Sequence, residues 1–336
     1  MESNNKQWGS HFGFLMAAVG SAVGLGNLWG FPYKMGSHGG FAFLIIYLVL
    51  AVFVGYVIMM GELTIGRRSG KGAIGAYKAI SEKFAIVGWM AYICPYLILS
   101  FYSMLGGWCL RYAIANIGDL FGAGWGTAGQ DSGTFFTNLY LSQSTSTIYT
   151  VIFIVLTALI VMGGVSGGIE KFSKYAMPAL FFMLIIVIIR SVTLPGAVEG
   201  LKFMFKPDFS VFQGTGWLSV LASAGGQMFF SLSLGMGIMI TYGAYLPKET
   251  SIEKSSLIIP ACDTLIALMA GVAVMPAVFA FGMEPGGGPG LLFVTLQAVF
   301  AEMGAIGPVF GFILYFLVFI AAITSSISLL EVSTAV

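Results

Sequence analysis

The 336 residues of this chain carry a very low density of charge. Hydrophobic residues make up 58% of the sequence and charged residues only 9%, against roughly 25% charged residues in an ordinary soluble domain. A net charge of +1 and two histidines leave no basic field for nucleic acid and little material for histidine chemistry. The composition therefore excludes a soluble domain and a nucleic-acid-binding protein, and it indicates a protein surrounded by membrane lipid.

Eight apolar stretches are long enough to cross about 30 Å of hydrocarbon as helices. They lie at 12–36, 41–66, 86–116, 148–165, 174–194, 216–245, 255–281 and 306–334. Lysine and arginine are concentrated in the N-terminus and in alternate connections, which is typical of the cytoplasmic side. The pattern predicts a multi-pass protein of the cell membrane with a cytoplasmic N-terminus. The outside connections, where we expect short surface helices, then lie at 36–40, 116–147, 195–213 and 282–305.

The first apolar stretch is interrupted near its middle by small residues. Gly20, Gly24, Gly26 and Asn27 follow one another within eight positions, and each glycine costs roughly 1 kcal/mol of helix stability. Unwound backbone is tolerated at membrane depth only where it is buried in protein or lines a cavity. The alternative is close helix packing through small residues. We predict that the helix is broken near residues 22–26.

The sixth apolar stretch is also interrupted by small residues, in Ser231-Leu232-Ser233-Leu234-Gly235-Met236-Gly237. This predicts a second break near residues 231–235. Two broken helices that face each other offer positive helix ends for a carboxylate and free carbonyl groups for a cation. The two interruptions lie five segments apart, so we predict two five-helix repeats. The expected organisation is a cytoplasmic segment 1–11, a first repeat 12–194, an extracellular connection 195–215 and an incomplete second repeat 216–336.

The stretch Gly24-Leu25-Gly26-Asn27-Leu28-Trp29-Gly30-Phe31-Pro32-Tyr33 resembles the first-helix signature of the neurotransmitter:sodium symporter family. Further matching positions are Gly39-Gly40, Glu62, Tyr102, the stretch 227–235 and Thr324-Ser325-Ser326. The resemblance implies an all-α inverted-repeat fold of the bacterial leucine transporter type, with discontinuous helices 1 and 6. It also implies sodium-coupled import of hydrophobic L-amino acids by alternating access, with Glu62 anchoring the broken sixth helix. On this basis the chain is expected to end within helix 8.

Two positions depart from the family pattern. The family usually has arginine where Gly30 stands, so the chain lacks the arginine of the usual ion-pair gate on the outer side. It also usually has arginine three residues before Trp8, where this chain has Asn5 with Lys6 beside it. Lys6 is a weak substitute for that cytoplasmic latch, because an ammonium group lacks the planar fork of arginine.

The resemblance implies two sodium sites. Sodium is a hard cation that prefers several oxygen ligands. The first site takes Ala22, Asn27, Ser231 and Asp263, together with the carboxylate of the substrate. The second site takes Gly20, Val23, Ala321, Thr324 and Ser325. For the three hydroxyl residues the alternative is ordinary hydrogen bonding to their own helices.

The substrate pocket implied by the resemblance holds both charges of an amino acid. The carboxylate is expected at the amides of Leu25 and Gly26, at the hydroxyl of Tyr102 and at the first sodium. The ammonium is expected at carbonyls around Ala22, Phe230 and Ser231. The remaining pocket residues are Ile98, Phe230, Ser231, Ser233, Met236, Ser325 and Leu329. Tyr102 and Phe230 are expected to close as an aromatic lid. In this family an aspartate facing the ammonium goes with amine substrates. No acid stands at Ser21 or Gly24, so the resemblance favours a zwitterion over a monoamine.

Asp263 is an ionisable residue in the middle of an apolar segment, which by default indicates a functional site. The alternative is a neutral acid held by a hydrogen bond. The family commonly has asparagine at this position, and its chloride-dependent members bind a halide near a serine one turn later. Here that later position is Ala267. We therefore expect the carboxylate to supply the negative charge itself, so that the protein needs sodium and not chloride.

Gly168 and Pro178 lie near the start of the fifth segment, with nine residues between them. Both residue types weaken helix propagation, so unwinding there would open a water path to the second sodium site. The alternative is a simple turn followed by a helix start.

Other classes of protein fit less well. A channel needs a symmetric ring of filter residues, and no filter sequence is repeated here. An intramembrane hydrolase needs a nucleophile with a histidine or an acid pair, and His11 and His38 both lie near segment ends. The alternative that stays open is a sodium-gated channel-like protein or a membrane protein that binds an amino acid without transporting it.

Overall fold

The computed structural model of the chain describes residues 7–285 and 288–335. Within these residues the secondary structure consists of helices and turns, with no β-strand. Asn5 and Lys6, the positions considered for a cytoplasmic latch, lie outside the described residues. The observed all-helical class agrees with the sequence-based prediction.

The helices of the apolar segments follow one another in the predicted order. They are α1 (His11–Ala22), α2 (Gly26–Ser37), α3 (Phe41–Ser69), α4 (Glu82–Leu120), α5 (Gln143–Met162), α6 (Val165–Val192), α7 (Gly216–Ser231), α8 (Ile238–Ala244), α9 (Ile252–Ala280) and α10 (Gly304–Thr334). In the described part of the chain, α3, α4, α5, α6, α9 and α10 are each long and apolar enough to cross a membrane. The pair α1 and α2 forms a further span that is bent by 45°.

Short helices lie in the connections between the long ones. They are Ala73–Ile80, Ser132–Leu141, Ala197–Phe205 and Leu291–Glu302. The last three fall in the connections that the charge pattern assigns to the outside, where surface helices were expected. The boundaries of the two predicted repeats stay a prediction.

The predicted start of the fifth segment at residue 174 is wrong, because α6 already begins at Val165. A simple turn was the alternative considered for the glycine-rich stretch before residue 174, and instead a π-helical turn, Val165–Glu170, lies there. Close packing explains the difference. A Cβ atom at Gly168 would overlap the carbonyl oxygen of Ile160 in α5, so glycine is needed here for contact between backbones rather than for a loop.

The interrupted helices lie inside the molecule. Helix α1 packs against α6, α9 and α10, while α7 and α8 both pack against α3. The contact between α3 and α8 brings backbones together, because a Cβ atom at Gly66 would overlap the carbonyl oxygen of Ile240. A Cβ atom at Gly243 would lie 2.6 Å from the carbonyl oxygen of Leu63. Small residues thus permit the close approach that membrane helices use for packing, and the breaks face each other away from lipid.

Candidate functional site

The first break lies between α1 and α2, at the predicted position. Val23 leaves the helical region with φ −80° and ψ 97°. The N–H groups of Asn27 and Leu28 then donate to the carbonyl oxygen of Gly24, each at 3.2 Å. The last turn of any helix presents carbonyl oxygens that have no intrahelical donor. The end of α1 therefore offers oxygen atoms at the level of the break.

The second break lies between α7 and α8, also as predicted. Ser233 has φ 55°, and Gly235 and Gly237 have φ values of 78° and 73°. Glu62 of α3 supports this unwound segment, because its Oε1 atom accepts a 2.7 Å hydrogen bond from the N–H of Gly235. The expectation that Glu62 anchors the broken sixth segment is confirmed by this contact.

Side chains hold the two breaks against each other. The hydroxyl of Ser233 donates to the carbonyl oxygen of Ser21 at 3.1 Å, and the two hydroxyl oxygens are also 3.1 Å apart. The side-chain amide of Gln227 donates to the carbonyl oxygen of Gly26 at 2.7 Å. This contact of Ser21 was not predicted from the sequence. Its only sequence signal was a hydroxyl next to a glycine in an apolar segment.

Asp263 is the centre of a buried polar cluster, with no exposed side-chain surface. Its Oδ1 atom accepts a 2.7 Å hydrogen bond from the side-chain amide of Asn27. Its Oδ2 atom accepts hydrogen bonds from the hydroxyls of Ser231 at 2.9 Å and Tyr47 at 3.1 Å. Three of the four residues predicted for the first sodium site are thus in contact. Tyr47 was missed, because a lone tyrosine in an apolar helix gives no sequence signal.

The Asp263 cluster has an unusual charge balance. Its donors are a neutral amide and two neutral hydroxyls, and the described part of the chain contains no lysine or arginine paired with Asp263. Burial of an ionised carboxylate is costly unless a cation compensates it. The amide oxygen of Asn27 lies 3.3 Å from the N–H of Gly24, beside the first break. A cation bound here would meet one formal negative charge and several dipolar oxygens.

The residues predicted for the second sodium site gather where α1 meets α10. The hydroxyl of Ser325 donates to the carbonyl oxygens of Gly20 at 3.4 Å and Ser21 at 3.0 Å. Thr324 donates to the carbonyl oxygen of Ala321 at 2.9 Å, which is the back-bonding considered from the sequence. Val23 is fully buried at the end of α1.

Gly20 also brings α6 into this second group of residues. A Cβ atom at Gly20 would lie 3.2 Å from the Met177 sulfur of α6 and 3.2 Å from the Thr324 Cβ atom of α10. Three helices therefore pack closely around the carbonyl oxygens at the end of α1.

A cavity with an empty volume of about 310 Å³ lies between the two breaks. It is lined by Ser21, Ala22, Gly24, Gly26, Ile98, Tyr102, Phe230, Ser233, Met236, Ile238, Ser325 and Leu329. Nine of these residues were predicted, and Ser21, Gly24 and Ile238 are additions. Two predicted pocket residues do not line it: Leu25 donates its backbone N–H to the Tyr102 hydroxyl at 2.9 Å, and Ser231 turns toward Asp263.

A second cavity of about 610 Å³ lies next to the first. Its lining includes Trp29, Gly30, Lys34 and Gln227. Gly26, Tyr102 and Phe230 line both cavities, so these residues form the partition between them. At Gly30, where the family usually has arginine, a Cβ atom would lie 3.4 Å from the Gln227 side-chain oxygen.

A helical membrane protein with two discontinuous helices that meet at buried polar groups has the architecture of secondary transporters. The chain belongs to the sodium:neurotransmitter symporter family, whose model matches residues 5–131 and 141–336. It is therefore a multi-pass membrane protein of a sodium-dependent transporter family and not an enzyme. This confirms the resemblance and the fold class read from the sequence.

Relatives of the chain include the uncharacterized sodium-dependent transporter YhdH of Bacillus subtilis (strain 168), at 40% identity over 99% of this chain and 73% of the relative. The sodium-dependent neutral amino acid transporter B(0)AT3 of Mus musculus is 34% identical over 82% of this chain and 48% of its own length. The crystal structure of MhsT in complex with L-phenylalanine is 41% identical and superposes with a TM-score of 0.89. That match covers 98% of this chain and 74% of the MhsT chain.

Proposed function

We propose that this protein is a sodium-coupled symporter that imports hydrophobic L-amino acids by alternating access. The observation that carries the proposal is the cavity between the two broken helices, which adjoins a buried carboxylate to which residues 7–285 and 288–335 supply no cationic partner. The complex of the similar MhsT with L-phenylalanine supports an amino acid as the substrate class. The proposed location is the cell membrane, with the N-terminus on the cytoplasmic side.

The cavity suits a zwitterion better than a simple amine. None of its lining residues is an aspartate or a glutamate, so a bound ammonium group would rely on backbone carbonyl oxygens. A bound carboxylate would meet the N–H groups of Leu25 and Gly26 at the start of α2, the Tyr102 hydroxyl and a sodium ion. Both charges of an amino acid would then be compensated.

The proposal includes two sodium ions. The first would be held by Ala22, Asn27, Ser231 and Asp263 and by the substrate carboxylate. The second would be held by Gly20, Val23, Ala321, Thr324 and Ser325. The first ion links the substrate to the Asp263 cluster, which would make substrate affinity depend on sodium. The second ion would tie α1 to α10 and hold the site closed toward the cytoplasm.

Uptake by proteoliposomes tests the proposal. An inward sodium gradient is expected to drive accumulation of labelled L-leucine, and gluconate in place of chloride is expected to leave the rate unchanged, because Asp263 supplies the negative charge. Counterflow of labelled against unlabelled leucine separates a carrier from a channel-like pore, since only a carrier exchanges its substrate. Sodium-dependent binding without uptake or exchange would indicate the non-transporting alternative. A strict need for chloride would contradict the role given to Asp263.

Met236 is expected to control which hydrophobic side chains fit. It lines the cavity together with Ile98, Ser233 and Ser325, and methionine is unbranched and can adopt several shapes. Met236 forms part of the cavity wall, so large ligands need this wall to move. Met236→Phe is expected to weaken aromatic ligands about tenfold and to leave leucine and valine almost unchanged, because steric differences of this kind are worth about 1–3 kcal/mol.

Competition binding against labelled leucine measures this selectivity. Met283→Phe, at a partly buried methionine outside the cavity, serves as the matched control. An equal loss for leucine and for tryptophan would show that Met236 does not set the size limit.

A further inference from the structure

Glu170 is a buried acid that the proposed substrate and sodium sites do not use. Only 2% of its surface is exposed, and it is the last residue of the π-helical turn Val165–Glu170 with which α6 begins. A buried carboxylate needs strong partners to remain charged. All the partners that the structure gives it lie in α6 itself or in the segment that leads into α1.

The carboxylate of Glu170 binds the chain just before α1. Its Oε2 atom accepts a 2.6 Å hydrogen bond from the N–H of Gly9, and its Oε1 atom accepts a 2.9 Å bond from the hydroxyl of Ser10. Lys174, one turn further along α6, is 2.6 Å from the same Oε1 atom. Ser10 in turn caps α1, because its hydroxyl accepts the N–H of Gly13 at 3.0 Å. One charged group therefore fixes both the entry to α1 and its cap.

The surface of α1 is shaped for this carboxylate. A Cβ atom at Gly13 would overlap the side chain of Glu170, so only glycine leaves the necessary space. On the other side of the segment, the indole N–H of Trp8 donates to the carbonyl oxygen of Tyr242 in α8 at 3.1 Å. The segment before α1 is thus attached to α6 through Glu170 and to α8 through Trp8.

The turn that carries Glu170 is a poor helix start. Gly164, directly before it, has φ 75°, and a Cβ atom at Gly163 would lie 2.9 Å from the Cα atom of Gly168. Glycine lowers helix stability, and π-turns interrupt the regular bonding of a helix. Because Glu170 ends the turn, unwinding of the turn must move its carboxylate away from Gly9 and Ser10.

The same two helices meet again beside the proposed second sodium site. Met177 of α6 contacts Gly20 of α1, seven residues after Glu170, which corresponds to about 10 Å along a helix. Release at Glu170 would therefore free α1 from α6 at the end of a contact surface whose other end holds the second sodium ligands.

We propose that Glu170 is a positioning residue that couples unwinding at the start of α6 to release of the segment before α1. The proposed cytoplasmic side of the site then opens in one step. This inference rests on the proposed alternating-access function. It predicts opposite changes on the two sides of the protein. Loss of Glu170 favours the inward-open state, in which the contact between α1 and α6 opens and the second cavity, on the proposed outer side, closes. A general loss of stability would instead expose both the contact between α1 and α6 and the second cavity.

Two cysteine reporters test this direction. Ser173 is 1% exposed on α6 between Glu170 and Met177, so Ser173→Cys reports opening of the contact between α1 and α6. Tyr33 lines the second cavity, so Tyr33→Cys reports how accessible that cavity is. The full chain in detergent with sodium is treated with a hydrophilic maleimide, and the protein without either reporter gives the background from Cys94, Cys109 and Cys262.

In Glu170→Ala, labelling at residue 173 is expected to rise at least tenfold and labelling at residue 33 to fall. Glu170→Gln keeps the shape but loses the charge, and it is expected to change both rates in the same directions by a smaller factor. Lys174→Ala leaves the bonds to Gly9 and Ser10 in place, so its labelling is expected to change much less than that of Glu170→Ala. Glu82→Gln, at an exposed acid paired with Lys78 at 3.5 Å, is the matched control.

Unchanged labelling in folded Glu170→Ala and Glu170→Gln would overturn the proposal, as would a parallel rise at both reporters. An effect of Lys174→Ala as large as that of Glu170→Ala would assign the role to the ion pair within α6 instead. The labelling needs no substrate. Labelling that rises at residue 173 and falls at residue 33, in a protein that binds no amino acid, would therefore support this coupling and refute the proposed function.

Discussion

Asp263→Asn is expected to lower sodium-dependent binding of a hydrophobic amino acid by about 100-fold or more. The substitution keeps the shape of the side chain and removes the only formal negative charge among the residues proposed for the first sodium site. Loss of one partner from a buried ion pair costs roughly 3–5 kcal/mol, and each 1.4 kcal/mol is a factor of ten in affinity. Binding of labelled L-phenylalanine over a sodium titration measures the effect. Asp208→Asn, at an exposed aspartate, is the matched control.

A halide should partly replace the missing charge. Tyr47 and Ser231 donate hydroxyl hydrogen bonds to Asp263, and asparagine would leave one or both of these donors available to an anion. Ala267 is fully buried one turn later on α9, so Ala267→Ser would add a further donor. The double variant Asp263→Asn, Ala267→Ser is expected to bind substrate in sodium chloride but not in sodium gluconate. Full binding by Asp263→Asn in gluconate would show that the carboxylate is dispensable.

Gly24→Ala is expected to reduce substrate binding by about 100-fold or more while the protein remains folded. A Cβ atom at this position would overlap both the Ser325 hydroxyl and the Tyr102 hydroxyl, two groups that line the cavity. Tyr102 is buried, and relief of the overlap would move its hydroxyl away from the N–H of Leu25. Steric strain of this kind costs typically 1–3 kcal/mol, and the lost contacts to ligand add to it.

Gly61→Ala is the control for this change. Gly61 also lies in a helix of the membrane region, and beyond its own stretch of helix backbone no described atom lies within 4 Å of the position its Cβ would take. Thermal unfolding in detergent verifies that both variants are folded. Normal affinity in Gly24→Ala would mean that the substrate does not occupy the cavity between the breaks.

The breaks themselves were predictable because their cause is local. Glycines in the middle of an apolar segment weaken a helix wherever they occur. In a membrane, backbone groups without hydrogen-bond partners are so costly that such a break indicates a buried or functional site. Asp263 stood out for a similar reason, since an ionisable group in an apolar segment is expensive. These arguments need only a short window of sequence, and the structure agrees with them.

The partners of these groups were less accessible to sequence reasoning. Tyr47 reaches Asp263 across 216 positions and Glu170 reaches Gly9 across 161, so each contact depends on how whole helices pack. The start of α6 was misplaced because Gly168 serves a backbone contact with Ile160, while the same residue in isolation suggests a turn. The Ser21–Ser233 link likewise exists only because the two breaks face each other. Tertiary packing determined each of these features.

Equilibrium binding to the purified full chain tests the central claim most directly. Labelled L-leucine and L-phenylalanine, with a monoamine as competitor, would be measured in sodium and in potassium at equal ionic strength. We expect both amino acids to bind one competing site in sodium, to lose that binding in potassium, and to be unaffected by the monoamine. Equal binding in potassium, or displacement by the monoamine, would contradict a sodium-coupled site for hydrophobic amino acids.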